Sequence, residues 1–90
     1  MKNNDLYMFV PCFNEQKRFD PKYWRWILEK TPTINWIFLD DGSTDLTRQI
    51  IKESLDDLLN FGLLASNENL GKAGILREGI TSFKVGRFNR

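Results

Sequence analysis

The sequence predicts an α/β domain built on a parallel sheet of about three strands alternating with three helices. Two observations carry that prediction. Short apolar runs, whose apolar residues do not alternate with polar ones, take turns along the 90 residues with stretches of helical periodicity. Each apolar run also opens into a polar loop. Runs without alternation suit strands covered on both faces, and strands separated by helices suit right-handed crossovers within one parallel sheet.

The first run, Leu6 to Val10, is closed by Pro11 and predicts the first strand. Asp20 before Pro21 is a helix start, because the aspartate oxygen accepts from the first turn and proline at the first position loses no hydrogen bond. That helix is expected from Pro21 to about Lys30, stopping before Pro32. Ile34 to Leu39 is short and rich in β-branched and aromatic residues, which predicts the second strand.

From Thr44 to Leu59, Leu46, Ile50, Ile51, Leu55, Leu58 and Leu59 recur at helical spacing, with Arg48, Lys52, Glu53, Asp56 and Asp57 on the opposite side. Asn60 and Gly62 supply a stop, and Leu63 to Ala65 predicts a short third strand. After the loop Ser66 to Gly71, a third helix is expected from Lys72 to about Phe83, weakened by Gly74 and Gly79. Residues 1 to 90 read as a single partial domain with no internal repeat, linker or low-complexity segment.

Composition narrows the function classes. Hydrophobic content of 41% and charged content of 28% are those of an ordinary soluble globular chain. Residues 1 to 70 carry 8 basic and 11 acidic side chains, net −3, whereas residues 71 to 90 carry 5 and 1, net +4. Lys84, Arg87 and Arg90 lie in that basic end and read as a solvated tail. The overall charge of +1 argues neither for nor against a polyanionic partner, and no nucleic-acid partner is expected.

Cys12 is the only cysteine and histidine is absent, so an internal disulfide is ruled out and a zinc site is not expected. No long apolar stretch opens the chain. Neither a signal peptide nor a transmembrane segment is expected, and a cytoplasmic location follows as the default.

In a parallel sheet the carboxyl ends of the strands share one edge, where open α/β sheets bind their ligands. That edge collects Cys12 to Glu15, Asp40 to Ser43 and Asn67 to Lys72. Asp40 and Asp41 end an apolar run, and strand alternation forbids both from pointing into one crevice. One is the ligand candidate, suited to accept from a nucleobase N–H or from ribose hydroxyls. The same segment also reads as a plain helix start, with Gly42 turning the chain and Ser43 or Thr44 capping.

The loop Pro11 to Glu15 offers an aromatic ring at Phe13, an amide at Asn14 and a carboxylate at Glu15. Its plainer reading is a packed ring and an exposed acid. Gly71 and Lys72 open a helix, where backbone N–H groups and an ammonium suit a diphosphate, or where they serve as cap and surface charge. Neither the G-x-x-x-x-G-K-[ST] nor the G-x-G-x-x-G spacing occurs. Tyr23, Trp24 and Trp26 fall on the first helix and read as core or as an exposed interface.

Taken in this order, PCFNE, DDGSTD and NENLGKAG resemble the N-terminal half of family 2 glycosyltransferases of the GT-A fold, from about Leu6 to Ile80. The resemblance implies a truncated, Rossmann-like GT-A fold that binds the nucleotide of a UDP-, GDP- or dTDP-sugar. It implies that Pro11, Phe13 and Glu15 surround the base and ribose, that Asp40 binds the base, and that Lys72 lies near the base or diphosphate. Asn14, Asp41 and Gly71 complete the expected nucleotide-sugar site. KRF at Lys17 to Phe19 is similar to the polyprenyl-phosphate hexosyltransferase branch, so the full-length form is expected to transfer a hexose to a lipid phosphate or glycan.

Family members continue into a fourth strand whose D-x-D motif holds Mg²⁺ or Mn²⁺, and later supply an acidic general base. No D-x-D triplet occurs among these 90 residues. No catalytic residue, metal ligand or cofactor is therefore assigned to the chain, and the isolated chain is expected to be inactive. The alternative is a non-catalytic nucleotide-binding or interaction module. A nucleotidyltransferase of the pyrophosphorylase type would carry a glycine-rich, basic loop where PCFNE stands. In the parent fold the D-x-D strand lies beside the first strand, so self-association through an unpaired sheet edge, or marginal stability, is expected.

Overall fold

In the computed structural model, which describes residues 6–84, the apolar runs form strands β1 (Leu6–Cys12), β2 (Ile34–Asp41) and β3 (Phe61–Ser66). The periodic stretches form helices α1 (Pro21–Lys30), α2 (Thr47–Leu55) and α3 (Gly71–Lys84). The strands are parallel and ordered β1-β2-β3, with Leu6 opposite Ile34 and Trp36 opposite Phe61. This is the alternating, open parallel sheet that the sequence predicts. Arg87, Arg90 and the side chain of Lys84, from the basic end, lie outside the described residues.

Both faces of the sheet are covered, which explains why the strands do not alternate. On one face Phe38 and Phe61 pack against Leu28 of α1 and Ile51 and Leu55 of α2. On the other, Ile37 and Leu39 pack against Ile75 of α3, with Tyr7, Phe9 and Leu64 alongside. Trp24 belongs to the first core, standing edge-on to Trp36 at 5.6 Å and to Phe38 at 5.1 Å between ring centres. Its neighbours Tyr23 and Trp26 are instead 53% and 55% exposed.

Helix α1 keeps its expected bounds, and Asp20 caps it by accepting from Tyr23 N at 3.1 Å. Strand β1 runs two residues past its expected end, through Pro11 to Cys12. A proline is tolerated there because β1 pairs only with β2 among the described residues, so no ladder bond is lost on its other side.

Strand β2 likewise continues through both aspartates. Helix α2 is shorter than the periodicity suggests, because Asp45 accepts from Thr47 N at 2.9 Å and holds residues 43–46 in a separate turn. At its other end Leu58 N donates to Leu55 O at 3.0 Å, which tightens the chain out of the helix.

Strand β3 starts at Phe61 rather than Leu63, because the preceding residues anchor it. Asn60 Nδ2 faces the carbonyls of Leu28, Thr31 and Ile34 at 3.0 to 3.1 Å. One buried amide thus ties the end of α1 and the start of β2 to the start of β3. Helix α3 lies close on the sheet, since a Cβ at Gly79 would come within 2.8 Å of a Leu39 methyl.

Candidate functional site at the carboxyl edge of the sheet

Helix α1 leaves β1 for one face of the sheet and α3 packs on the other. Chains that part in this way open a crevice above the carboxyl ends of the strands. The crevice here is a cleft of about 290 Å³ lined by Pro11, Cys12, Phe13, Glu15, Asp41, Lys72 and Ile75. All three polar loops singled out in the sequence border it. Its walls combine an aromatic ring, two carboxylates and an ammonium group.

The two adjacent aspartates part company, as strand alternation requires. Asp41 lines the cleft on the α3 side, and its Oδ1 accepts from Leu70 N at 2.6 Å, just before α3 begins. Asp40, the acid preferred on resemblance, does not reach the cleft. It is fully buried on the α2 side, where it accepts from Ser43 Oγ at 2.5 Å and from Arg48 Nε at 3.0 Å. Arg48 also donates to Ser66 O at 3.2 Å, so Asp40 and Arg48 together tie β2 to the end of β3.

Gly42 makes the turn between the acids and the hydroxyl residues. Its φ of +73° favours glycine, and a Cβ there would lie 2.5 Å from the Glu68 carbonyl carbon. The third loop therefore passes directly over the second. Asn69 Nδ2 donates to Asp41 O at 3.2 Å and fastens that crossing. Gly71, at φ +80° with open space around it, turns the chain into α3.

The first and second loops are clasped together by a run of hydrogen bonds. Asn14, at φ +49°, accepts at Oδ1 from Thr44 N at 2.9 Å, and its own N–H donates to Ser43 Oγ at 3.0 Å. Glu15 N donates to Thr47 Oγ1 at 2.8 Å, Gln16 N to Asp45 Oδ2 at 3.3 Å, and Leu46 N to Gln16 Oε1 at 3.0 Å. Asn14 is thus spent on the partner loop and does not line the cleft.

The hydrogen bond from Thr47 holds the Asp45 carboxyl below the usual carboxylate range. Thr47, Gln16 and Arg48 were not singled out as functional in the sequence. The signal that could point to Thr47 is the Asp45-to-Thr47 spacing, which suits an Asx turn.

Burial, with the nearby Glu15 and Asp40 charges, pushes the Cys12 thiol up to about 12. It stays protonated at neutral pH and is no nucleophile. Glu15 forms an ion pair with Arg18 at the cleft rim. No group of three or more His, Cys, Asp or Glu side chains among the described residues is arranged to hold a metal ion. The Mg²⁺ or Mn²⁺ implied by the resemblance therefore has no fitting ligand set here, since Asp40 is committed to Arg48 and Ser43.

An open parallel sheet with a polar cleft at its carboxyl edge defines a nucleotide-binding type of α/β domain. Residues 7–84 match the family model for Glycosyl transferase family 2, and the chain belongs to that family. It is also 30% identical over 83 residues to a dolichyl-phosphate beta-glucosyltransferase, ALG5A, of Trichomonas vaginalis. That match covers 82% of this chain and 25% of the relative, so the chain spans about a quarter of that protein's length. No solved structure matches the chain. Among the described residues, no helix is long and apolar enough to cross a membrane.

Proposed function

We propose that this chain holds the nucleotide of a nucleotide-sugar donor, and that the full-length protein transfers a hexose to a lipid phosphate or glycan. The convergence of Phe13, Glu15, Asp41 and Lys72 on one cleft carries this reading. The base stacks against Pro11 and Phe13, and Asp41 rather than Asp40 accepts from the base or ribose. Lys72 and the N–H groups opening α3 meet the diphosphate. The similarity to the Trichomonas dolichyl-phosphate beta-glucosyltransferase supports a lipid-phosphate acceptor and glucose as the hexose.

Titration calorimetry with UDP-, GDP- and dTDP-sugars, with and without Mn²⁺, tests the proposal. One nucleotide series is expected to bind without requiring metal, and Asp41→Asn or Phe13→Ala to weaken it at least tenfold. Failure of every nucleotide to bind overturns it. A second reading, a nucleotide-binding or interaction module without chemistry of its own, is favoured by the absence of a D-x-D triplet from the 90 residues. Binding without transfer by the 90-residue chain is expected on either reading, and measurable transfer by it excludes the second.

Among the described residues β1 pairs with β2 alone, and its Leu6 and Met8 are 52% and 42% exposed. We propose that this edge pairs with a second copy when nothing else covers it. A Met8→Lys chain is then expected to sediment as monomer at concentrations where the parent chain associates.

A further inference from the structure

The third loop delivers a lysine to the cleft, yet its hold on the sheet is narrow. Lys72 lines the cleft and follows directly on Gly71. Gly71 has a φ of +80°, and a Cβ there would meet nothing within 4 Å, so packing does not confine the joint before Lys72. The position of the lysine is therefore set earlier in the loop.

At its stem the loop closes on itself, where Ser66 Oγ donates to Glu68 O at 2.7 Å and accepts from Glu68 N at 3.3 Å. Beyond the stem it is tied to the sheet at Asp41. Leu70 N donates to Asp41 Oδ1 at 2.6 Å, and Asn69 Nδ2 donates to the Asp41 backbone oxygen at 3.2 Å. Both ties end on a residue that also lines the cleft.

A ligand acts differently on the two ties. The Asp41 carboxylate is part of the cleft wall, so a ligand that donates to it draws on the same charge that Leu70 N uses. The carbonyl that accepts from Asn69 is separate from that carboxylate. Its bond holds whether the cleft is empty or filled.

We propose that Asn69 is a positioning residue, which keeps the third loop on the end of β2 and so sets the Lys72 ammonium relative to the Asp41 carboxylate. The inference rests on the reading of the cleft as a nucleotide site and adds to it a residue outside the cleft walls. A ligand with hydrogen-bond donors at one end and a diphosphate at the other meets both groups at once. Holding the two at a fixed separation before the ligand arrives spares the cost of ordering the loop on binding.

The test is a double-mutant cycle on the 90-residue chain, with UDP, GDP and dTDP titrated by calorimetry into the parent, Asn69→Ala, Lys72→Ala and the double variant. Asn69 is exposed, so Asn69→Ala should fold as the parent does. For the nucleotide that binds, Asn69→Ala is expected to weaken affinity about fivefold, the usual net worth of one hydrogen bond. Once Lys72 is alanine, it should have no further effect. The matching nucleoside, which lacks the diphosphate, should bind the parent and Asn69→Ala alike. Unchanged nucleotide affinity in Asn69→Ala overturns the proposal. So does an equal loss with and without Lys72, or for nucleoside and nucleotide, because a merely structural asparagine behaves in that way. Either result leaves the nucleotide reading standing, whereas a parent chain that binds no nucleotide overturns both.

Discussion

Asp40 and Asp41 are neighbours in sequence that face opposite sides of the sheet, Asp40 Oδ2 held by Arg48 Nε at 3.0 Å and Asp41 Oδ1 by Leu70 N at 2.6 Å. Their substitutions should therefore separate stability from binding. Asp40→Asn leaves Arg48 without its counter-charge at a fully buried acid and is expected to cost about 2 kcal/mol by urea denaturation. Asp41→Asn keeps an oxygen for Leu70 N, so its main effect should be on nucleotide titration. Equal loss of binding in two equally stable variants would contradict this division.

Gly42→Ala meets two obstacles together, a φ of +73° and the backbone of Glu68 and Asn69 within 2.8 Å of the new Cβ. The strained backbone alone costs about 1 to 2 kcal/mol, and displacement of the third loop adds to it. Thermal unfolding of Gly42→Ala is expected to show a clearly lowered midpoint. Gly71→Ala, which has the same sign of φ but open space around it, should lose less.

Thr47 is fully buried and joins the first loop to the second through Glu15 N at 2.8 Å. Thr47→Val keeps the shape but leaves the Glu15 N–H without its partner, at about 1 to 2 kcal/mol. Because Glu15 lines the cleft, nucleotide affinity should fall with stability. Thr47→Ser restores the hydroxyl and should recover both.

Arg25 links α1 to Asp57, and its hydrogen bonds hold the Asp57 carboxyl down to about 2. A folded-state pKa below the unfolded value of about 3.9 stabilises the fold above that pH and loses the contribution as pH falls toward 2. Asp57→Asn should therefore lower the melting temperature at pH 6 and differ progressively less from the parent chain between pH 4 and pH 2. A difference that stays constant with pH would assign the effect to packing.

Asn35 is fully buried in β2, and among the described residues neither its Oδ1 nor its Nδ2 has a hydrogen-bond partner. Such a group costs stability that an apolar side chain of similar volume does not. Asn35→Leu is expected to raise unfolding free energy by about 1 to 2 kcal/mol. A destabilised Asn35→Leu chain would reveal that the amide has a role in packing α3.

The alternation of apolar runs and helical periodicity, with Asp20-Pro21 starting α1, placed six elements in order because these signals are local. The element ends differed where distant contacts act. Pro11 stays in β1 because it lies at a sheet edge, Phe61 joins β3 because Asn60 anchors it, and α2 starts late because Asp45 and Thr47 are engaged with the first loop. By itself the sequence determined that three polar loops would gather at the carboxyl edge of a parallel sheet, and that Asp40 and Asp41 would separate across it. Only the tertiary structure decided which acid faces the cleft, because that depends on which face α3 covers. It also turned Asn14, Ser43 and Thr47 into a clasp, since their partners lie about 30 residues away in the chain and no spacing announces them.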